Sequence, residues 1–424
     1  MKSSILQQFN THLKVLIGIF LCIGGLHLNA QESECNCRAD FEFLHQKLKK
    51  TPAYRHQTEK ETSYTASYRA LQGELQAIKS PFECYFLLNK LVLSLKDNHM
   101  QVYGKKNGMS TQLLKDSIGF MKFKRSKAYR VLPRLSMDLD SLETVLKTKP
   151  FESKEGIYYR KDYLKIGVYW DKSRGAFNSL VLSSKTPLWE PGELFNSLIP
   201  YGQNNLRAIG GGITTKRLIT YAERIQEGLF LTMRFQKDLS KSNFSVAPYP
   251  KLIYKREALS PDITYLKLGD FDSFYPVLSD AEAFYALLKG TLQKPNLVVD
   301  LRDNGGGGDR NSNIVFKILK KYSKTNSIFV LINQRTGSNA EQFAFKLRKM
   351  AKAVVLGDQS RGVVAYEIKN STYTLPSAAF IAQLTSKKHA KYLELESVGL
   401  TPDVFLDYEK SWLTQVKEYI ETKK

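Results

Sequence analysis

An α/β core, preceded by an N-terminal helical domain and a β-rich insert, is the fold this sequence predicts. Three observations predict it. From about residue 253, short apolar runs rich in β-branched residues alternate with helical stretches; residues 154–248 carry strand-like runs separated by turn residues; and residues 38–96 repeat Phe and Leu at helical spacing.

The 424 residues suffice for two or three domains, and 42% hydrophobic with 25% charged residues is a globular composition. With 63 Lys+Arg against 41 Asp+Glu the formal charge is +22, which is compatible with contact to an anionic cell-envelope surface. The basic residues are scattered, without an Arg-rich helix, zinc-finger spacing or aromatic RNA-binding signature, so no nucleic-acid partner is expected.

Lys2 and Lys14 precede an apolar run at 15–23, and small residues follow up to Ala30. Residues 1–30 therefore read as a secretory signal peptide, with an uncleaved anchor as the alternative; the run is shorter than the roughly 20 residues of a spanning helix, which favours cleavage. Export to the periplasm, envelope or exterior of a bacterium is the expectation. Cleavage leaves Cys35, Cys37 and Cys84. One disulfide and one spare thiol are expected, with either Cys35 or Cys37 joined to Cys84. A metal site would lack a fourth ligand and histidine spacing, so no metal is expected.

Along the chain, the N-terminal helical domain spans 31–103. Phe41, Phe43, Leu44 and Leu48 mark one helix, and Phe86, Leu87, Leu88, Leu91, Leu93 and Leu95 another. The second stops at Asp97-Asn98-His99, and a strand begins at Met100. Residues 104–153 form a basic connecting segment with a short helix near Leu142 to Leu146. In the β-rich domain, 154–248, runs at 163–169, 180–182, 218–221 and 229–233 predict a small barrel or sandwich. Gly210-Gly211-Gly212 lacks the Lys-Ser/Thr of a phosphate loop and reads as a turn; Trp170 and Trp189 are expected in the core. In the α/β core, 253–407, strands at 263–268, 297–301, 327–332 and 353–357 point to a parallel sheet. A C-terminal helix occupies 408–424.

Sites in such sheets lie beyond the carboxyl ends of the strands. Two segments fall there. In Thr336-Gly337-Ser338-Asn339-Ala340-Glu341, a hydroxyl stands at a helix start among unpaired N–H groups that favour developing negative charge; serine is equally a favoured N-cap. In Arg302-Asp303-Asn304-Gly305-Gly306-Gly307-Gly308, the glycines let the backbone approach a ligand and aim N–H groups at it. No nucleotide-binding spacing follows, which favours an oxyanion hole over a nucleotide site.

Together with Val355-Leu356-Gly357-Asp358 and Glu396-Ser397-Val398-Gly399-Leu400-Thr401-Pro402-Asp403, these blocks resemble the C-terminal-processing peptidases and tricorn core proteases. The resemblance runs across roughly 253–405. It implies a Clp protease/crotonase-like core and a serine-type peptidase acting on peptide or protein without a cofactor. It places the nucleophile at Ser338, three residues before Glu341. A base lysine would follow Gly362, where Val363 stands instead, so the chain is similar to the histidine-dependent, tricorn-like branch. That branch implies His99 as base, in Asp97-Asn98-His99-Met100, and Glu396 as orienting carboxylate. The PDZ domain many members carry is not evident.

The chemistry is consistent with these roles. A serine hydroxyl needs an adjacent base, histidine titrates near working pH, and a carboxylate fixes the imidazole. Backbone N–H groups of Gly305, Gly306 and Asn339 are the expected oxyanion donors. Asp97 is expected to order the His99 loop by side-chain-to-backbone bonds, with Asn98 also supporting it. An Asp300–Arg302 ion pair would hold the glycine loop, and Asp358 would be structural. Against this stand plainer readings: His99 as a helix cap, Glu396 as a surface carboxylate, and the whole chain as an inactive peptide- or lipophile-binding protein on the same scaffold.

Overall fold

A computed structural model describes residues 36–58, 63–202, 204–250 and 252–423. The expected signal peptide and Cys35 lie outside the described residues.

Helix α1 (Cys37–Leu48) packs on α2 (Pro81–Leu93), and a Cys37–Cys84 disulfide with Cα atoms 5.5 Å apart joins them. The α2 start is encoded locally. Ser80 accepts the Glu83 N–H at 3.2 Å, Glu83 accepts the Ser80 N–H at 3.1 Å, and Pro81 fills the first position. Phe82, Leu87, Leu88 and Leu91 are buried around this helix, which suits a helix inside a core rather than on a surface. After a turn at 94–100 the chain enters β1 (Gln101–Gly104).

The insert contains β2 (Gly156–Arg160), β3 (Leu164–Asp171), β4 (Ala176–Ser184), β5 (Leu194–Tyr201), β6 (Asn205–Gly211) and β7 (Leu218–Glu223), each antiparallel to the next. It is one sheet rather than a stacked pair. Its first strand reaches the hairpin after β7, where Tyr159 and Gln236 exchange backbone hydrogen bonds of 2.8 and 2.9 Å. Tyr158, Phe195, Phe230 and Phe235 fill the space between, with ring centroids 4.9–5.8 Å apart. The Gly210–Gly212 turn is not observed as expected: Gly210 and Gly211 lie inside β6. A Cβ on Gly210 would collide with the Phe195 carbonyl and one on Gly211 with Leu132 and Trp189, so these glycines allow close packing instead. Trp189 is buried as expected, whereas Trp170, near the end of β3, is 43% exposed and packs edge-on against Phe177.

The core sheet begins with an antiparallel edge strand, β8 (Tyr254–Ser260), beside β9 (Ile263–Leu268). Helix α3 (Val277–Leu288) leads to β10 (Asn296–Asp300), α4 (Asp309–Tyr322) to β11 (Ser327–Ile332), and α5 (Asn339–Arg348) to β12 (Ala353–Gly357). These strands pair in parallel. Both faces are covered, which explains the near-continuous apolar runs. Leu297, Val299, Ile328 and Val330 meet the three helices; Val298, Phe329 and Leu331 face the other layer.

After β12 a hairpin of β13 (Thr372–Thr374) and β14 (Phe380–Gln383) leaves the core, and β15 (Val404–Phe405) returns to its sheet before α6 (Trp412–Glu421) closes the second face. The hairpin matters most for the site. β14 pairs antiparallel with β1, Gln101 opposite Gln383 and Gly104 opposite Phe380. The N-terminal helices, the insert and this hairpin thus share one hydrophobic core.

Removing the α1–α2 cross-link by Cys84→Ser should lower stability by about 3–4 kcal/mol, given the 47-residue separation. Urea unfolding under oxidising conditions would check this, with the reduced wild type showing the same loss.

Candidate active site

Strand β11 ends in a turn that α5 continues, and Ser338 sits at the junction with φ 55° and ψ −124°. A non-glycine residue there costs on the order of 1–3 kcal/mol, and the surrounding bonds must hold it. The Ser338 N–H is shared between Val363 O at 2.8 Å and Glu341 Oε2 at 2.9 Å. Glu341 is fully buried, and its carboxylate also accepts from Ser360 Oγ (2.5 Å), Gly362 N (2.7 Å) and Val363 N (3.0 Å). Burial pushes its pKa up, partly offset by these donors and by Arg361. One carboxylate therefore fixes both the serine turn and the 360–363 turn facing it.

The Ser338 hydroxyl lies 3.0 Å from His99 Nε2. A serine O–H donating there requires the proton on Nδ1. His99 sits between α2 and β1, with its N–H donated to Asp97 Oδ1 at 3.0 Å, as the sequence suggested. Burial, then the nearby Arg361, with smaller effects of His389 and Arg207, lower its pKa to about 3, so the imidazole is neutral.

Glu396 lies beside it. Its Oε1 accepts the Asn98 N–H at 2.9 Å, and its Oε2 those of Val364 and Ala365 at 2.9 and 2.7 Å. One donor atom each of Asp97, His99 and Glu396 lie within 4.8 Å of one another. No carboxylate bonds Nδ1, however, which has no partner among the described residues. Both carboxyl pKa values are pushed up by burial, and that of Glu396 further by repulsion from Asp97. The three side chains could surround a cation, but the carboxylate oxygens already accept N–H groups or, at Asp97 Oδ2, the Thr385 hydroxyl at 2.6 Å. A cation would have to displace these donors.

Asn98, read only as support, is a buried junction. It donates to Gly362 O at 3.1 Å and Tyr201 Oη at 3.3 Å, and accepts from Arg207 Nη2 at 2.6 Å. The insert is thereby tied to the loop carrying His99.

Across from the serine, the glycine loop leaves β10. The expected Asp300–Arg302 pair forms at 2.7 Å, with Tyr265 Oη also on Asp300 at 2.8 Å. Asp358 pairs with Arg224 of the insert at 3.4 Å, a structural contact as expected. The expected donor role of Gly306 is corrected: its N–H goes to Asn304 Oδ1 at 2.9 Å. Asn304 is fully buried, donates to Leu268 O at 2.8 Å, and accepts the Gly337 N–H at 3.0 Å, so it joins loop to serine turn. Gly306 serves by its lack of a side chain, because a Cβ there would stand 2.7 Å from Ser338 Cβ. The N–H groups of Gly305 and Asn339 donate to no acceptor among the described residues.

Three residues that sequence reasoning missed complete the site. Asn304 could have been found from Asp-Asn-Gly, where an asparagine carbonyl folds back on a backbone N–H two residues on. Arg361 and Thr385 carry no local signal. Arg361 is anchored through Nη2 on Arg335 O at 2.8 Å and lies against Gly337.

The model of peptidase family S41 matches residues 262–406. Among solved structures, the chain is similar to the photosystem II D1 C-terminal processing protease at 14% identity and a TM-score of 0.37, covering 90% of this chain and 97% of that one. Mature CPAF follows at 11% identity and TM-score 0.43, covering 91% and 96%. The tricorn protease gives 12% identity and TM-score 0.42, covering 91% of this chain and 36% of its own. No curated protein matches the chain significantly.

Glu341→Ala would strand three buried donors, Ser360 Oγ, Gly362 N and Val363 N, while the Ser338 N–H keeps Val363 O. At roughly 1–3 kcal/mol for each unsatisfied group, stability should fall by more than about 3 kcal/mol in urea titration, with Glu341→Gln retaining part of it.

Proposed function

We propose, from the premise that this chain belongs to peptidase family S41 through residues 262–406, that it is an exported serine endopeptidase working through an acyl-enzyme on Ser338. The observation that supports this best is the 3.0 Å contact between His99 Nε2 and a Ser338 hydroxyl held in a strained backbone conformation. Ser338 Oγ attacks the scissile carbonyl carbon as its proton passes to His99 Nε2. The tetrahedral oxyanion receives the Gly305 and Asn339 N–H groups. Collapse breaks the C–N bond, the imidazolium protonates the leaving amine, and water then attacks the ester with His99 again as base.

Glu396 is the orienting carboxylate in this reading, with Asp97 beside it. Neither hydrogen-bonds Nδ1 in the free protein, and catalytic hydrogen bonds are often looser before substrate binds. A neutral His99 suits the resting base, and the adjacent carboxyl pair supplies the negative charge that stabilises it once protonated. Export is supported by the Cys37–Cys84 disulfide, since such cross-links persist in oxidising compartments. Among the described residues no helix is long and apolar enough to cross a membrane.

A second reading, an inactive peptide-binding protein on this scaffold, draws on the unpartnered His99 Nδ1. A fluorophosphonate probe separates the two. Wild-type protein should be labelled at Ser338, with Ser338→Ala unlabelled and His99→Ala slower by at least about 10³-fold; a folded wild type that resists labelling would sink the peptidase reading.

The pH profile tests the carboxyl pair. Asp97 and Glu396 repel, so neutralising one makes the other easier to ionise. Asp97→Asn should therefore move the acidic limb of kcat/KM to lower pH, and a shift to higher pH would contradict the assigned coupling.

A further inference from the structure

Where the N-terminal domain, connecting segment, insert and core hairpin meet, they form an open pocket of about 270 Å³. No carboxylate lines it, while Lys105, Lys106 and Arg217 do. Arg217 is held in advance. Its Nε donates to Gly104 O at 2.6 Å, and its guanidinium carbon lies 4.7 Å from the Tyr103 ring centroid. Among the described residues its two terminal amino groups have no hydrogen-bond partner, and neither Lys105 nor Lys106 has an ion-pair partner. The neighbouring Lys216 is different: it is fully buried and neutralised by Glu193 at 2.5 Å.

A guanidinium fixed by a backbone bond and a ring, with two parallel donors left over, matches a carboxylate at little cost in side-chain entropy. Asn107, Lys127 and Lys216 also reach the wall, and its apolar part is supplied by Pro81, Val131 and Phe380. The volume approaches that of sites for small organic ligands, about 300 Å³ upward.

We propose that this pocket binds a carboxylate carried on an apolar body, with Arg217 taking the carboxylate and Lys105 and Lys106 strengthening the field. The apolar body rests against Val131 and Phe380. Two sources share this chemistry: a small apolar acid, or an acidic side chain or chain end of a peptide beside an apolar residue. The site needs nothing of the chemistry at Ser338. It does share β1 with the loop carrying His99, since Gly104, the Arg217 acceptor, ends that strand.

Equilibrium binding to the full chain tests this, with 4-phenylbutyrate in calorimetry and a fluorescein-labelled Leu-Glu-Leu-Glu peptide in anisotropy. Saturable binding of either probe is expected, and the probe that binds identifies the source. Arg217→Lys, which keeps the charge but loses the fork, should weaken binding by about tenfold. The exposed pair Lys105→Glu/Lys106→Glu, which leaves the core untouched, should weaken it further. A control pair on α4, Lys320→Glu/Lys321→Glu, should leave affinity unchanged. Absence of saturable binding of both probes, or an equal loss in the control pair, overturns the proposal.

Discussion

Ser338 and His99 are 239 residues apart, and the antiparallel pairing of β1 with β14 brings them to 3.0 Å. β1 follows His99 directly, and β14 belongs to the hairpin that leaves the core after β12. Register is therefore decisive. A slip of one residue would turn Val102 away from the core and displace the imidazole with the same movement. The shared hydrophobic core that holds this pairing ties the N-terminal helical domain, and with it His99, to the serine turn.

On the other side of the contact, Glu341 restrains the serine turn. Its carboxylate spans two turns, sharing the Ser338 N–H with Val363 O and satisfying the Gly362 and Val363 N–H groups, which would otherwise be buried and unmatched. The Ser338 conformation follows from that cross-bracing, and the backbone carbonyl of Asn304 ties the glycine loop to the Gly337 N–H while its carboxamide braces the loop itself. Three loops from separate strand ends are thus locked to one another by the Glu341 side chain and a backbone hydrogen bond from Gly337 to Asn304.

The electrostatics follow the same burial. His99 is neutral because burial and the positive charges of Arg361 and Arg207 disfavour its charged form, while Asp97 and Glu396 resist ionising together. Acid–base groups with opposed shifts in one cleft distinguish this arrangement from a structural salt bridge, in which each partner would favour the other's charge.

The core strands, α2, Ser338, the glycine loop and the Asp300–Arg302 pair were all legible in the sequence, because each rests on periodicity or a contiguous motif. The insert was legible only in part. β2, β5 and β6 lack a signal strong enough to see, and Gly210 and Gly211 read as a turn because close packing between strands leaves no local mark. Sequence also named Gly306 as a donor, and only the fold shows its N–H turned to Asn304. What the sequence by itself determined was the residue types and the order of elements. The tertiary structure alone decided which of those residues meet: a 3.0 Å contact between Ser338 and His99, an Asn98 junction with Arg207, and a Glu396 carboxylate held by three backbone N–H groups depend on chain segments 31 to 298 residues apart, whose approach is set by packing and not by any local pattern.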